Sequence, residues 1–483
     1  MTQLAELLFD EVGDPEQPLV HVGGRVHTRS EVRRRAEAIA DALVSAGVGE
    51  GHPVGVMLPN DWNVIATLFG VWRVGAVYAP LNPRLGVTDL ARALDAVRPA
   101  AVVTTEEQAA RFSDLPLVLL GADIDVRPGT GGDRTLDPDV ALVQFTSGTT
   151  GPPKPVPLRH STVVPLLDNV LETLRSRPTD GRPPMANIIP VSLSLWAGLY
   201  QVLFAMRVGA PVVLMDRFDG REFAALVAEH GIRSAVLPPA AMTMLADDER
   251  VTSLQPLKYV RSITAPLSPL QARRFRDRFG IAILNCYGQT EIGGEIVGWS
   301  AADARQFGDT KLGAAGRPHA GVELRTNPET GELEVRTPSM PTTYADGSDL
   351  SDRLSSDGWF RTGDIARIDE DGFLWIDGRV SDMINRGGLK VFPAEVEEVL
   401  RLVPGVADVA VVGMDDDRRG AVPWAFIVPG ERNPSSRELE ERCREHLAPY
   451  KVPVHFELVD RLPRNEVGKV LVRELRKTTP TDR

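Results

Sequence analysis

Apolar residues in the first half of the chain recur with two alternating periods. Val32, Ala36, Ile39 and Leu43 fall at helical spacing behind a Thr28/Glu31 capping-box pair, and Gly47 ends the run. Residues 53–58 form a short unbroken apolar run, the pattern of a strand buried on both faces. A helix over 61–74, a strand over 76–79, a helix over 87–97 and a strand over 101–103 follow. Such βαβα alternation predicts a mostly parallel sheet covered on both sides. Glycines and prolines here fall between or at the ends of these elements, where turns need them, apart from Gly55 and Gly70. A second α/β stretch is expected over 211–284, with a strand at 212–215, a helix at 221–230 and a strand at 235–237.

After Gly313 the pattern changes to short strands with turns, such as 331–337 and 372–376, which predicts a small β-rich subdomain. From Pro393 onward a helix (394–402), two strands (407–412 and 424–428), a helix (435–446) and a basic tail form one more unit. The expected architecture is α/β: a large domain over 1–379 with two α/β subdomains and a small β-rich one, then a small α+β domain over 380–483.

Composition narrows the class. The 483 residues allow two to four domains, and a hydrophobic share of 43% with 25% charged residues is that of an ordinary soluble protein. A net charge of −12 argues against non-specific nucleic-acid binding. The two cysteines, Cys286 and Cys443, lack metal-ligand spacing and form no disulfide framework, which fits a reducing cytoplasm. Residues 1–12 read as a short amphipathic helix without the basic start of a signal peptide, and the apolar run 64–72 is too short to span a bilayer. A soluble, cytoplasmic protein is expected. Arg33, Arg34 and Arg35 read as a solvated helix face.

The most informative segment is Phe145-Thr-Ser-Gly-Thr-Thr-Gly-Pro-Pro-Lys154, which follows the strand-like run 140–144. Glycines let a backbone approach a polyphosphate, hydroxyls and free N–H groups supply donors, and Lys154 adds a charge. It is not a Walker A loop, because Gly151 is followed by Pro-Pro-Lys and not Lys-Ser/Thr. On composition alone a phosphate cradle is favoured over the other reading, a plain Ser/Thr/Gly connection.

The loop resembles the phosphate-binding signature of the adenylate-forming superfamily of acyl- and aryl-CoA synthetases, peptide-synthetase adenylation domains and beetle luciferase. Further segments match in the same order: Tyr287-Gly-Gln-Thr-Glu291, Gly331 to Arg336, Gly358-Trp-Phe-Arg-Thr-Gly-Asp364, Asp371 to Arg379, Gly387-Gly388 through Glu395, and Pro463-Arg-Asn-Glu-Val-Gly-Lys469. The resemblance implies an acid–thiol ligase. ATP activates a small carboxylic acid as its acyl-adenylate with release of pyrophosphate, and the acyl group then passes to coenzyme A.

By the same resemblance, Thr146, Ser147, Gly148, Thr149, Thr150, Gly151 and Lys154 hold the β- and γ-phosphates. Tyr287 and Gly288 face adenine, Thr290 touches the α-phosphate, Glu291 helps hold Mg²⁺, and Asp364 with Arg379 takes the ribose. Lys469 bridges the acid carboxylate and the α-phosphate. The C-terminal domain rotates about a hinge at Ser381, and Gly387 and Gly388 then line a tunnel for the thiol. Ser192, Leu193, Trp196, Thr264, Ala265 and Cys286 fall at acid-pocket positions.

Some positions depart from the family pattern. Val191-Ser192-Leu193-Ser194 stands where many relatives carry an aromatic residue and a histidine. Ile263-Thr264-Ala265 replaces a frequent Gly-Gly-Ala, Cys286 replaces a glycine, and Pro155 another. Side chains in place of hydrogens narrow the pocket, so an aryl or short-to-medium acid is expected over a long fatty acid. An acceptor other than coenzyme A, either a carrier protein's phosphopantetheine or an amine, stays open. A binding-only regulatory protein is opposed by the presence of Lys469, Glu291 and Asp364.

Overall fold

Thr28 begins the first long helix as its sequence pair requires. Its hydroxyl accepts from the Glu31 amide, and the Glu31 carboxylate accepts from the Thr28 amide at 2.9 Å. The computed structural model describes residues 3–10, 14–146, 154–174, 184–340, 343–430, 432–464 and 470–477. The helix Arg29–Ser45 buries Val32, Ala36, Ile39 and Leu43. Its arginine cluster is partly a docking face: Arg33 pairs with Glu37, while Arg35 donates to the Asn63 side chain and to the Gly121 carbonyl. Gly70 explains itself here. A Cβ on it would sit 2.8 Å from the Ala36 carbonyl oxygen and 3.1 Å from Ile39 Cγ2, so glycine lets the helix Trp62–Arg73 lie against Arg29–Ser45.

The first sheet has seven strands in the order Ile124–Arg127, Leu117–Leu120, Ala101–Thr104, Pro53–Met57, Val77–Pro80, Val140–Phe145, Pro155–Arg159. Its five inner strands are parallel and each edge strand is antiparallel. Ala101 and Val103 enter one apolar cluster and Val102 another, so both faces are covered. A second sheet runs Ser234–Leu237, Tyr259–Ser262, Ala282–Gln289, Gly294–Gly298, Arg317–Pro318, its first three strands parallel.

The strand expected at 212–215 does not belong to that sheet. Val212–Leu214 lies between Asn187–Ile189 and Pro18–Val22, paired parallel to both. A three-residue apolar run carries no mark of its partner, and here the partner is the N-terminal hairpin.

The expected β-rich part is an antiparallel sheet of Glu323–Thr326, Glu332–Arg336, Phe360–Ile368 and Leu374–Arg379. The turn Val380–Asp382 leads out of it into a last sheet. There, the two short strands read from the sequence are one long hairpin, Val406–Asp416 against Gly420–Pro429, and Ile384–Arg386 and His455–Leu458 both pair with its second strand. The helices Pro393–Arg401 and Ser436–His446 cover an apolar core of their own, from Ile384 to Val452. Among the described residues, no helix is long and apolar enough to cross a membrane.

Gly70→Val tests the close helix contact. Overpacking against a backbone carbonyl should destabilise the protein by about 2 kcal/mol, despite valine's better helix propensity than glycine's. The urea-unfolding midpoint reads this, and an unchanged midpoint would mean the two helices part freely.

Candidate active site

The Ser/Thr/Gly loop joins Val140–Phe145 to Pro155–Arg159, and its two ends are tied together. The Thr146 amide donates to the Lys154 carbonyl at 3.1 Å, and the Lys154 amide donates to Thr146 Oγ1 at 3.3 Å. The Lys154 ammonium lies 4.6 Å from the Tyr344 ring centroid. Pro155 pairs with Phe145, and its carbonyl takes the Ala345 amide at 2.8 Å. Ser147, Gly148, Thr149, Thr150 and Gly151 lie outside the described residues, as does Lys469. Next to these strands, Trp72 donates to the Ala141 carbonyl at 2.7 Å and meets the buried His160 ring edge-on. Burial pushes the His160 imidazole down to about 4.

Across the cleft, Asp364 is the centre of a cluster. It is 4% exposed, in the strand Phe360–Ile368 opposite Arg379 of Leu374–Arg379. Arg379 Nε reaches Asp364 Oδ1 at 3.0 Å. Tyr287 Oη and Gln289 Nε2 both donate to Asp364 Oδ2 at 2.7 Å, and Gln289 also donates to the Thr362 carbonyl. Burial works against the Arg379 charge, but Asp364, Asp382 and the other acidic groups around it together more than offset that, and the guanidinium pKa ends raised. The Tyr287 phenol is pushed up by burial and then by the Asp364 charge, so it remains an O–H donor.

Tyr287 and Gln289 reach this point because the strand Ala282–Gln289 runs on past its parallel neighbours into a tight reversal. That reversal is Thr290–Ile292, then Gly293 (φ 87°) and Gly294 (φ 126°). A Cβ at Gly288 would overlap the Gly294 backbone. Glu291, in the reversal, lines the cleft together with Lys154, Tyr344 and Arg379, and its charge acts on both Tyr344 and Arg379.

The expected acid-pocket residues divide. Trp196, Thr264, Ala265 and Cys286 line the same cleft as Thr146, Lys154, Tyr287, Gly288, Thr290, Glu291, Asp364, Arg379 and Ser381. Thr264 holds φ 70°, the left-handed conformation that glycine adopts freely, so the backbone shape survives without the residue that suits it. Cys286 donates from Sγ to the Ser262 carbonyl at 3.0 Å, and burial pushes its thiol well up.

Ser192 and Leu193 are not on the cleft wall. Leu193 is fully buried in the main core, its amide bonded to Asn60 Oδ1 at 2.7 Å, and Ser192 Oγ sits 2.8 Å from Ser194 Oγ. The Asn60 side chain holds this turn inward.

From the last domain, Arg464 and Val470, which bridge to each other on either side of Lys469, line the cleft. Gly387 and Gly388 do not. They form the turn between Ile384–Arg386 and Leu389–Val391, with φ 60° and 89° and nothing within 4 Å of a built Cβ. Sequence reading gave no role to Gln289, nor to the buried Arg261 and Glu295 that share the cleft. The available signal was charged residues inside otherwise apolar strands.

The family model for AMP-binding enzymes matches residues 11–345, and that for the AMP-binding enzyme C-terminal domain matches residues 395–469. The feruloyl-CoA synthase of Amycolatopsis sp is 32% identical, over 96% of both chains. The fatty acid–[acyl-carrier-protein] ligase ScoC of Streptomyces coeruleorubidus is 31% identical, over 97% of this chain and 94% of that one. The crystal structure of ATP-bound MatB from Rhodopseudomonas palustris superposes with a TM-score of 0.85 at 25% identity, covering 99% of both chains.

The imidazole buried beside the loop strands makes stability acid-sensitive. The folded pKa of His160, about 4, lies below its ordinary 6.5. Its contribution is therefore complete above pH 6.5 and is lost as pH falls toward 4, with about 2 kcal/mol gone at pH 5. Urea midpoints at pH 7 and pH 5 should converge in His160→Gln relative to the unsubstituted protein. Equal drops in both would show that His160 titrates normally.

Proposed function

The chain belongs to the AMP-binding enzyme family, and from that membership we propose that it activates a carboxylic acid with ATP and passes the acyl group to a thiol. The carrying observation is convergence: the loop base at Thr146 and Lys154, the Asp364 cluster and the residues flanking Lys469 all line one cleft of about 2600 Å³. A carboxylate is a weak nucleophile, and its attack on the α-phosphorus of ATP expels pyrophosphate. The protein does little covalent work here, so positioning and charge stabilisation dominate.

We assign the loop hydroxyls, amides and Lys154 to the β- and γ-phosphates. Asp364 accepts from the ribose hydroxyls, and Arg379, Tyr287 and Gln289 fix its position. Tyr287 offers its ring to adenine. Thr290 faces the α-phosphate, and Lys469 neutralises the charge growing between the acid and that phosphate. Among the described residues no three metal-ligating side chains cluster. Glu291, which lines the cleft with Lys154 and Arg379, suits a cation held by one carboxylate and phosphate oxygens, as Mg²⁺ is. When bound, Mg²⁺ supplies counter-charge to the leaving pyrophosphate.

The second half-reaction needs the thiol brought to the acyl-adenylate. Rotation of residues 380–483 at Ser381 would withdraw Lys469 and bring Gly387 and Gly388, with their open surroundings, to the cleft. Coenzyme A is the acceptor we favour, on the likeness to feruloyl-CoA synthase. The similarity to ScoC supports a carrier protein's phosphopantetheine as the second reading, and the turn 191–194, which differs from the family pattern, bears on that choice. Pyrophosphate release over aryl, short, medium and long acids tests the first step. Thioester assays with coenzyme A, carrier protein and amines then test the acceptor. No release with any acid would refute the ligase reading.

Lys469→Ala should abolish adenylate formation yet spare thioester formation from a synthetic adenylate, and equal loss of both would remove its assigned role. Asp364→Asn should raise the KM for ATP roughly tenfold or more while the KM for the acid moves little. Steady-state kinetics in each substrate decide, and an unchanged KM for ATP would detach Asp364 from the nucleotide.

A further inference from the structure

Beside the Asp364 cluster, the cleft carries a second polar constellation. Arg261, in the strand Tyr259–Ser262, is 7% exposed, and its Nη2 pairs with Glu295 Oε1. His319 Nε2 stands 3.1 Å from the same Glu295 oxygen, and His319 Nδ1 stands 3.2 Å from Thr173 Oγ1. The arrangement depends on Gly298, where a Cβ would lie 2.6 Å from Glu295 Oε1, 3.1 Å from His319 Cε1 and 3.2 Å from Arg261 Nη2. Burial opposes both charges, but each partner sustains the other, so Glu295 stays ionised and Arg261 protonated.

Two buried donors of this wall have no hydrogen-bond partner among the described residues: Arg261 Nη1 and Tyr200 Oη. Burial, then the Glu295 charge, pushes the Tyr200 phenol well up, so it remains an O–H. Tyr200 meets Trp196 edge-on at 5.6 Å, and Trp196 is fixed by its Nε1 donating to the Gly293 carbonyl. Arg261, Glu295, Tyr200, Trp196 and Cys286 all line the cleft. A buried donor left unpaired is costly, so a hydrocarbon packed against this wall keeps that cost while an acceptor removes it.

We propose that this wall selects the acid: Arg261 and Tyr200 receive a neutral hydrogen-bond acceptor, a ring hydroxyl or carbonyl, carried at the far end of the substrate from its carboxylate. The occupant is neutral because Glu295 already balances the Arg261 charge, so a second carboxylate would enter without a counter-ion. The inference rests on the acid-activating reading and names its substrate class as oxygen-substituted aryl acids, over plain alkyl chains and over diacids.

The test is acid-dependent pyrophosphate release by the full chain with matched acids. The panel is benzoate, 4-methylbenzoate, 4-hydroxybenzoate and terephthalate, then cinnamate, 4-methylcinnamate and 4-hydroxycinnamate, with hexanoate and octanoate. In the better-fitting aryl series, kcat/KM for the hydroxy acid should exceed that for its methyl isostere by at least about tenfold, with the diacid poorer still. Tyr200→Phe, which removes only the hydroxyl, should narrow that ratio several-fold by slowing the hydroxy acid alone. Arg261→Met with Glu295→Gln, which removes the ion pair without stranding a charge, should bring the ratio close to one. Methyl or alkyl acids used as well as the hydroxy acids, or a ratio unmoved in both variants, would overturn the proposal and leave the ligase reading standing. Release with none of the acids, extended to the broad panel above, would instead overturn the ligase reading and this inference with it.

Discussion

A single buried carboxylate organises the centre of this molecule. Asp364 comes from the antiparallel sheet, Arg379 from the next strand of that sheet, and Tyr287 and Gln289 from the end of the second α/β sheet. An ionised carboxylate removed from water is tolerable only when donors surround it, and three side chains supply them here. The requirement locks two sheets of different construction into one register. It also points the strand end 287–289 and its reversal at the loop between Val140–Phe145 and Pro155–Arg159. Loosening that carboxylate would free Tyr287 and Gln289, and with them the strand end that leads into the Glu291 reversal.

The division between what the sequence made legible and what it hid follows from the range of the interactions. Local signals were readable. The Thr28/Glu31 capping box, the apolar runs of the seven-stranded sheet and the ordered motifs each depend on neighbours within a few residues. Gly70 stood out as an exception to turn usage, and its reason, a helix crossing, lay in a segment far along the chain. Long-range pairing was not readable. The run 212–215 looked like part of the second α/β stretch until its partner proved to be the N-terminal hairpin. Leu193 looked like a pocket residue by alignment of motifs, yet Asn60 turns it into the core.

Arg261, Glu295 and His319 went unread for a related reason. Arg261 and Glu295 carry only the mark of a charge inside an otherwise apolar strand, and nothing along the chain indicates that they meet each other and His319 beside Gly298. Thr264 is the complementary case. The resemblance marked a departure from glycine, and the structure adds that the backbone there keeps a glycine's conformation at φ 70°. The departure thus changes the surface of the cleft without redirecting the chain.

The Gly298 contact has a consequence for how such an enzyme can change. Arg261, Glu295 and the glycine above them are mutually conditional: losing either charge strands the other in a dry wall, and any side chain at 298 displaces both. Single substitutions therefore meet a penalty that the matching second one removes. Drift in acid preference at this wall would proceed by paired exchanges and be strongly epistatic, whereas a cleft position outside the constellation, such as Ala265, can vary by itself and tune the fit in small steps.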